Sequence, residues 1–114
     1  MKRNFNVPVK GFGGIPITEN SKDSQGNATQ VPVMLASQLG ARLFYAGSEQ
    51  QGNRGGEQLS DDDKLRCYRI SVQLSEHPSD VELTVEDCAL VKRIASREFV
   101  AGVYGQIVDI IENG

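Results

Sequence analysis

The chain has 114 residues, a net charge of −3, 39 % hydrophobic and 24 % charged side chains. That length makes one domain, with room for a core that needs neither metal nor disulfide. The mildly acidic balance leaves no electrostatic footprint for nucleic acid or an anionic membrane, and no run of about 20 apolar residues is present to span a bilayer.

The basic start "MKRNFNVPVKG" is not followed by an apolar h-region, so no secretory signal is expected and the chain reads as cytoplasmic. Residues 4–18, "NFNVPVKGFGGIPIT", read as a β-hairpin. Val7 and Val9 alternate before "GFGG", Ile15 and Ile17 alternate after it, and Gly13 and Gly14 can take the positive φ of a tight turn. Pro8 and Pro16 cannot donate to a ladder, so these are edge strands or have their proline nitrogens facing out. The polar stretch 19–28 reads as a loop or extended turn. Residues 29–33, "TQVPV", read as a third short strand leading into a helix.

That helix is predicted over 32–46, with Leu35, Leu39, Leu43 and Ala46 as its stripe. Phe44 and Tyr45 lie off the stripe, so the helix is expected to be deeply buried. Residues 47–58, "GSEQQGNRGGEQ", hold four glycines and no apolar residue and read as a flexible loop. Two further helices, 61–75 and 84–99, start alike. Ser60 and Thr84 are N-caps, Asp63 and Asp87 follow three residues later in capping-box fashion, and Leu59 and Leu83 precede them where a hydrophobic staple begins. A turn at 75–80 and a brief strand at 81–83 separate the two. The second of these helices places Val85, Cys88, Val91, Ile94, Ala95 and Phe99 on one arc. The last helix, 101–112, gathers Val103, Tyr104, Ile107, Val108, Ile110 and Ile111 on one side, with Gly102 and Gly105 expected to mark a bend and a close backbone approach. The fold class is therefore α+β, mostly helical: a single domain with an N-terminal β-hairpin followed by about four helices.

Chemistry is hard to assemble from these residues. His77 is the only histidine and sits in the turn "EHPSD", with no nucleophile elbow beside it. Cys67 and Cys88, each among apolar neighbours, read as buried reduced thiols, and with one histidine they fall short of a zinc site. Asp61, Asp62 and Asp63 fail the calcium-loop pattern, because Leu65, Arg66 and Val72 occupy positions five, six and twelve. "GFGG" and "GNRGG" lack the context of a phosphate loop and read as turn glycines. No catalytic residue, metal or cofactor is expected.

The helix over 61–75 raises the functional question. At about 100° per residue, Leu65, Tyr68 and Val72 share one side and Cys67, Ile70 and Leu74 the opposite one. Either the rest of the chain covers both sides or one side meets another protein, with Tyr68 as its anchor. Leu65, Tyr68 and Val72, with Tyr104 of the last helix, are the candidate contact residues. The alternative is a small nucleic-acid-binding regulator using Arg66, Arg69, Lys92, Arg93 and Arg97.

The order of "FNVPVKGFGGIPI", "PVMLASQLGARL", "LSDDDKLRCYRIS" and "VELTVEDCALVKRIASREFVAGVYGQIVDIIE" is similar to small proteins encoded by tailed bacteriophages and prophages. The resemblance implies a phage accessory or assembly protein, in the bacterial cytoplasm or in the virion, that self-associates or binds another protein. It implies no activity and no site residues.

Overall fold

The computed structural model describes residues 2–46 and 59–113; the loop expected at 47–58 lies outside the described residues. In chain order come β1 (Lys2–Arg3), β2 (Thr18–Lys22), β3 (Ala28–Pro32), α1 (Leu35–Phe44), α2 (Asp61–Glu76), β4 (Val81–Glu82), α3 (Val85–Glu98) and α4 (Ala101–Asn113). The architecture is α+β and mostly helical, as the hydrophobic periods predict.

The turn at "GFGG" forms: the Gly11 N–H donates to the Ile15 carbonyl at 2.7 Å, with Gly13 and Gly14 at φ of 84° and 83°. The longer ladder lies further along. β2 and β3 run antiparallel from the Thr18–Pro32 pair to the Lys22–Ala28 pair, so much of the stretch read as a loop is a strand. Both of its faces are polar and exposed, and alternation carries no signal where no residue is apolar.

Three tripeptides of one form, Val7-Pro8-Val9, Ile15-Pro16-Ile17 and Val31-Pro32-Val33, join the two hairpins. The Val9 N–H donates to the Val33 carbonyl (2.8 Å), the Ile17 N–H to the Val9 carbonyl (2.9 Å) and the Val33 N–H to the Ile17 carbonyl (2.9 Å). Each proline removes a donor from its own segment. The three segments therefore close on one another in a ring of hydrogen bonds instead of extending as a flat sheet.

This junction feeds α1. Its N-cap, Met34, offers no capping oxygen. Instead the Leu35 N–H donates to the Val7 carbonyl (2.8 Å) and the Ala36 N–H to the Phe5 carbonyl (3.1 Å), so the N-terminal segment satisfies donors that a helix start leaves open. α2 and α3 carry their own caps. Ser60 accepts from the Asp63 N–H, and Thr84 with Asp87 forms a full capping box. Leu59 and Leu83, at the staple positions, are buried. β4 pairs with β1, Lys2 opposite Glu82 and Arg3 opposite Val81, and so returns the N-terminus to the helical layer.

The core holds Phe5, Val9, the α1 leucines, Cys67, Ile70 and Leu74 of α2, Val91 and Ile94 of α3, and Ile107 and Ile111 of α4. The arc predicted for α3 holds from Cys88 onward, but Val85 in its first turn is 72 % exposed. Gly102 and Gly105 mark no bend. Both lie inside α4, and a Cβ at either would meet nothing within 4 Å. Gly105→Ala is accordingly expected to stabilise the protein by about 0.5–1 kcal/mol, by removing helix-interior glycine entropy, and urea unfolding measures it.

Candidate protein-contact surface

α2 buries Cys67, Ile70, Ser71 and Leu74. Its opposite side stays open: Leu65 is 46 % and Tyr68 54 % exposed, while Val72 is half-buried. Phe44 meets Tyr68 at the edge of this strip, but Leu65 and Tyr68 stay about half in solvent, so the described chain leaves this side of α2 largely open.

α1 lies alongside. A Cβ at Gly40 would approach the Leu74 Cβ to 3.4 Å and the Ser71 carbonyl to 4.0 Å, while the Phe44 and Tyr68 rings meet with centroids 6.4 Å apart. Residue 40 lies level with 71–74 and residue 44 with 68, so the helices run antiparallel. The Gly40 contact brings the two backbones close at mid-length. Towards the end of α1 the expectation of deep burial fails. Phe44 is 55 % and Tyr45 57 % exposed, their rings edge to face at 5.1 Å. Leu35, Leu39 and Leu43 already fill the inward stripe, leaving no inward position for two more large rings.

Between the helices runs an open groove of about 510 Å³. One end is lined by Phe44 and Tyr45 with Val72 beside them. The other is lined mostly by small side chains, Ala36, Ser37 and Ser75 among them. Glu76 and Pro78 belong to the same lining. Of the residues expected from sequence to make contacts, Val72 lines the groove, Tyr68 stands at its edge against Phe44, and Leu65 borders a hollow shared with Arg66 and Arg69. Tyr104 does not line the groove; it is half-buried on α4 against the core. Phe44 and Tyr45 are the members that sequence reasoning missed.

The basic residues of the nucleic-acid alternative are largely engaged. Arg66 Nη1 donates to Asp87 Oδ1 at 3.1 Å and Arg93 Nη2 to Asp63 Oδ2 at 2.9 Å. Lys92 is held by Glu112, whose hydrogen bond raises the ammonium pKa above its ordinary value. Asp87 serves twice, since its other carboxylate oxygen closes the capping box. Arg69 is exposed and borders a hollow that Asp62 and Asp87 also line. Phosphate binding along these helices would have to compete with carboxylates already in place.

His77 ends α2 as its C-cap; its N–H donates to the Gln73 carbonyl and its own carbonyl accepts from the Asp80 N–H. Cys67 and Cys88 are buried free thiols. Burial pushes the Cys67 thiol up to about 11, with the Asp63 carboxylate adding to the rise and Arg93 opposing it. At neutral pH it is a protonated core side chain and a poor nucleophile. Among the described residues no group of three or more His, Cys, Asp or Glu could hold a metal ion, and no helix is long and apolar enough to cross a membrane. No protein-family model, curated protein or solved structure matches the chain.

Proposed function

We propose that this protein is a non-enzymatic interaction module whose contact face is the open strip of α2 together with the aromatic end of α1. One observation carries the reading: Phe44, Tyr45 and Tyr68, each 54–57 % exposed, stand together at the aromatic end of the groove, with Leu65, 46 % exposed, about one turn before Tyr68 on the same side of α2. Singly exposed apolar residues are ordinary on a protein surface, whereas a contiguous group with aromatic anchors marks a binding surface. Tyrosine in particular supplies large contact area with few rotamers to freeze. We read such a module, from its sequence resemblance to small proteins of tailed phages and prophages, as an assembly or accessory protein of the bacterial cytoplasm or the virion.

Tyr68→Asp tests the reading. The side chain is half in water, so the fold is expected to keep its stability to within about 0.5 kcal/mol. A charge in the centre of an apolar contact is expected to weaken association at least about tenfold. Light scattering across a hundredfold concentration range reads self-association, and thermal unfolding reads the fold. A folded variant with unchanged mass and unchanged partner binding would remove this face from consideration.

A further inference from the structure

The contact face is aromatic at one end and lined mostly by small side chains at the other, and on one flank of α2 stand two charges of opposite sign, Arg69 and Glu76, that form no ion pair among the described residues. Phe44, Tyr45 and Tyr68 stand at one end, while the exposed Ser37 and Ser75 line the other. The close approach at Gly40 lies between the two ends. A twofold axis perpendicular to α2, near Ser71 and Val72, reverses the strip and lays the rings of one copy over the small serine end of the next. The same operation repeats the fit on the other side, as an isologous interface requires.

Charge selects the same arrangement. Arg69 and Glu76 are seven residues apart, two helical turns, and so lie on the same flank of the strip. Among the described residues neither has an ion-pair partner. Glu76 also sits in the last turn of α2, which has no basic residue and where the helix dipole disfavours a negative charge. Antiparallel pairing about a perpendicular twofold maps a flank onto itself with its direction reversed. It therefore brings Arg69 of each copy towards Glu76 of the other, twice per dimer.

We infer that the occupant of the α1–α2 groove is a second copy of this chain, paired antiparallel about a twofold at Ser71–Val72, with reciprocal Arg69–Glu76 contacts flanking an aromatic-into-groove fit. The inference rests on the contact face proposed above and names its partner. Its geometry predicts more than a dimer: it predicts which two charges must be opposite.

Light scattering and sedimentation equilibrium of the full chain, with Arg69→Glu, Glu76→Arg and the double reversal R69E/E76R, decide it. Both side chains are exposed, so all variants are expected to fold, and circular dichroism melts check this. The wild-type protein is expected to approach twice its 12.4 kDa as concentration rises. Each single reversal sets like charges against each other twice and is expected to raise the dissociation constant at least about tenfold. The double reversal restores opposite pairing and is expected to return it to within about threefold of wild type. Rescue of that kind supports the pairing. A dimer broken by Tyr68→Asp but indifferent to both reversals would overturn the antiparallel register and leave the contact face standing. A wild-type monomer at every concentration would overturn the second copy as occupant, and binding of a different protein that Tyr68→Asp abolishes would still uphold the face itself.

Discussion

Phe5→Ala is expected to destabilise the protein by about 3–5 kcal/mol, the range for emptying a buried aromatic site. Phe5 is 1 % exposed, yet it stands in an irregular segment outside every helix and strand. Its backbone ties two distant parts of the chain together. The Phe5 N–H donates to the Pro78 carbonyl at 2.7 Å, and the Phe5 carbonyl accepts the Ala36 N–H at the start of α1. The ring is the side chain that holds this segment down. Without it the backbone loses its anchor, and α1 loses a cap that its own sequence does not supply. Against a typical total of about 5–15 kcal/mol, a loss of this size leaves a marginal fold. Urea unfolding gives the free energy. Hydrogen exchange adds a local readout: the Leu35 and Ala36 amides, bonded to Val7 and Phe5, should open before the amides in the middle of α3. A variant within about 1 kcal/mol of wild type would show that the segment is held by its backbone bonds alone.

The same residues explain what was legible in the sequence. α3 announces itself because Thr84 and Asp87 begin it and five of its apolar positions recur at helical spacing. Its signal is local and self-contained. α1 begins three residues later than its periodicity suggests, because its first donors are satisfied by Val7 and Phe5, residues that sequence spacing cannot connect to it. β1 and β4 have two residues each and pair residues 2 and 3 with residues 82 and 81, so no window of sequence contains the signal. At the contact face, Tyr68 stood out because α2 carries apolar residues on two sides. Phe44 and Tyr45 carried the opposite implication. Two rings beside a leucine stripe read as depth of burial, whereas the stripe was already full and the rings stand outside it. Periodicity tells which residues share a face; it does not tell whether a second apolar face meets the core or the solvent.

Above about pH 9 the protein is expected to lose a further increment of stability through Cys67. The thiol is 2 % exposed on the inner face of α2, and burial pushes its pKa from 9.0 up to about 11 in the native state. The native state thus keeps a proton that the unfolded chain gives up, and stability falls with pH wherever the native state binds more protons. The contribution is fully present below about pH 9 and is lost as pH climbs through about 11. Relaxation around the thiolate discounts the loss to about 1–2 kcal/mol. The informative quantity is the difference between wild type and Cys67→Ala, in which every other alkaline contribution cancels. The variant is expected to be less stable at pH 7, having lost core packing, but to show a shallower decline between pH 9 and 11. Parallel declines would mean that Cys67 ionises in the native state as readily as in the unfolded chain, which would require water at the inner face of α2. Thiol labelling gives an independent check. At pH 8 both Cys67 and Cys88 should resist an aromatic disulfide reagent in the native protein and react once urea unfolds it. Protection of Cys67 alongside free access to Tyr68, one residue further along the helix, would mark in solution the boundary between the face of α2 that makes the core and the face left open for a partner.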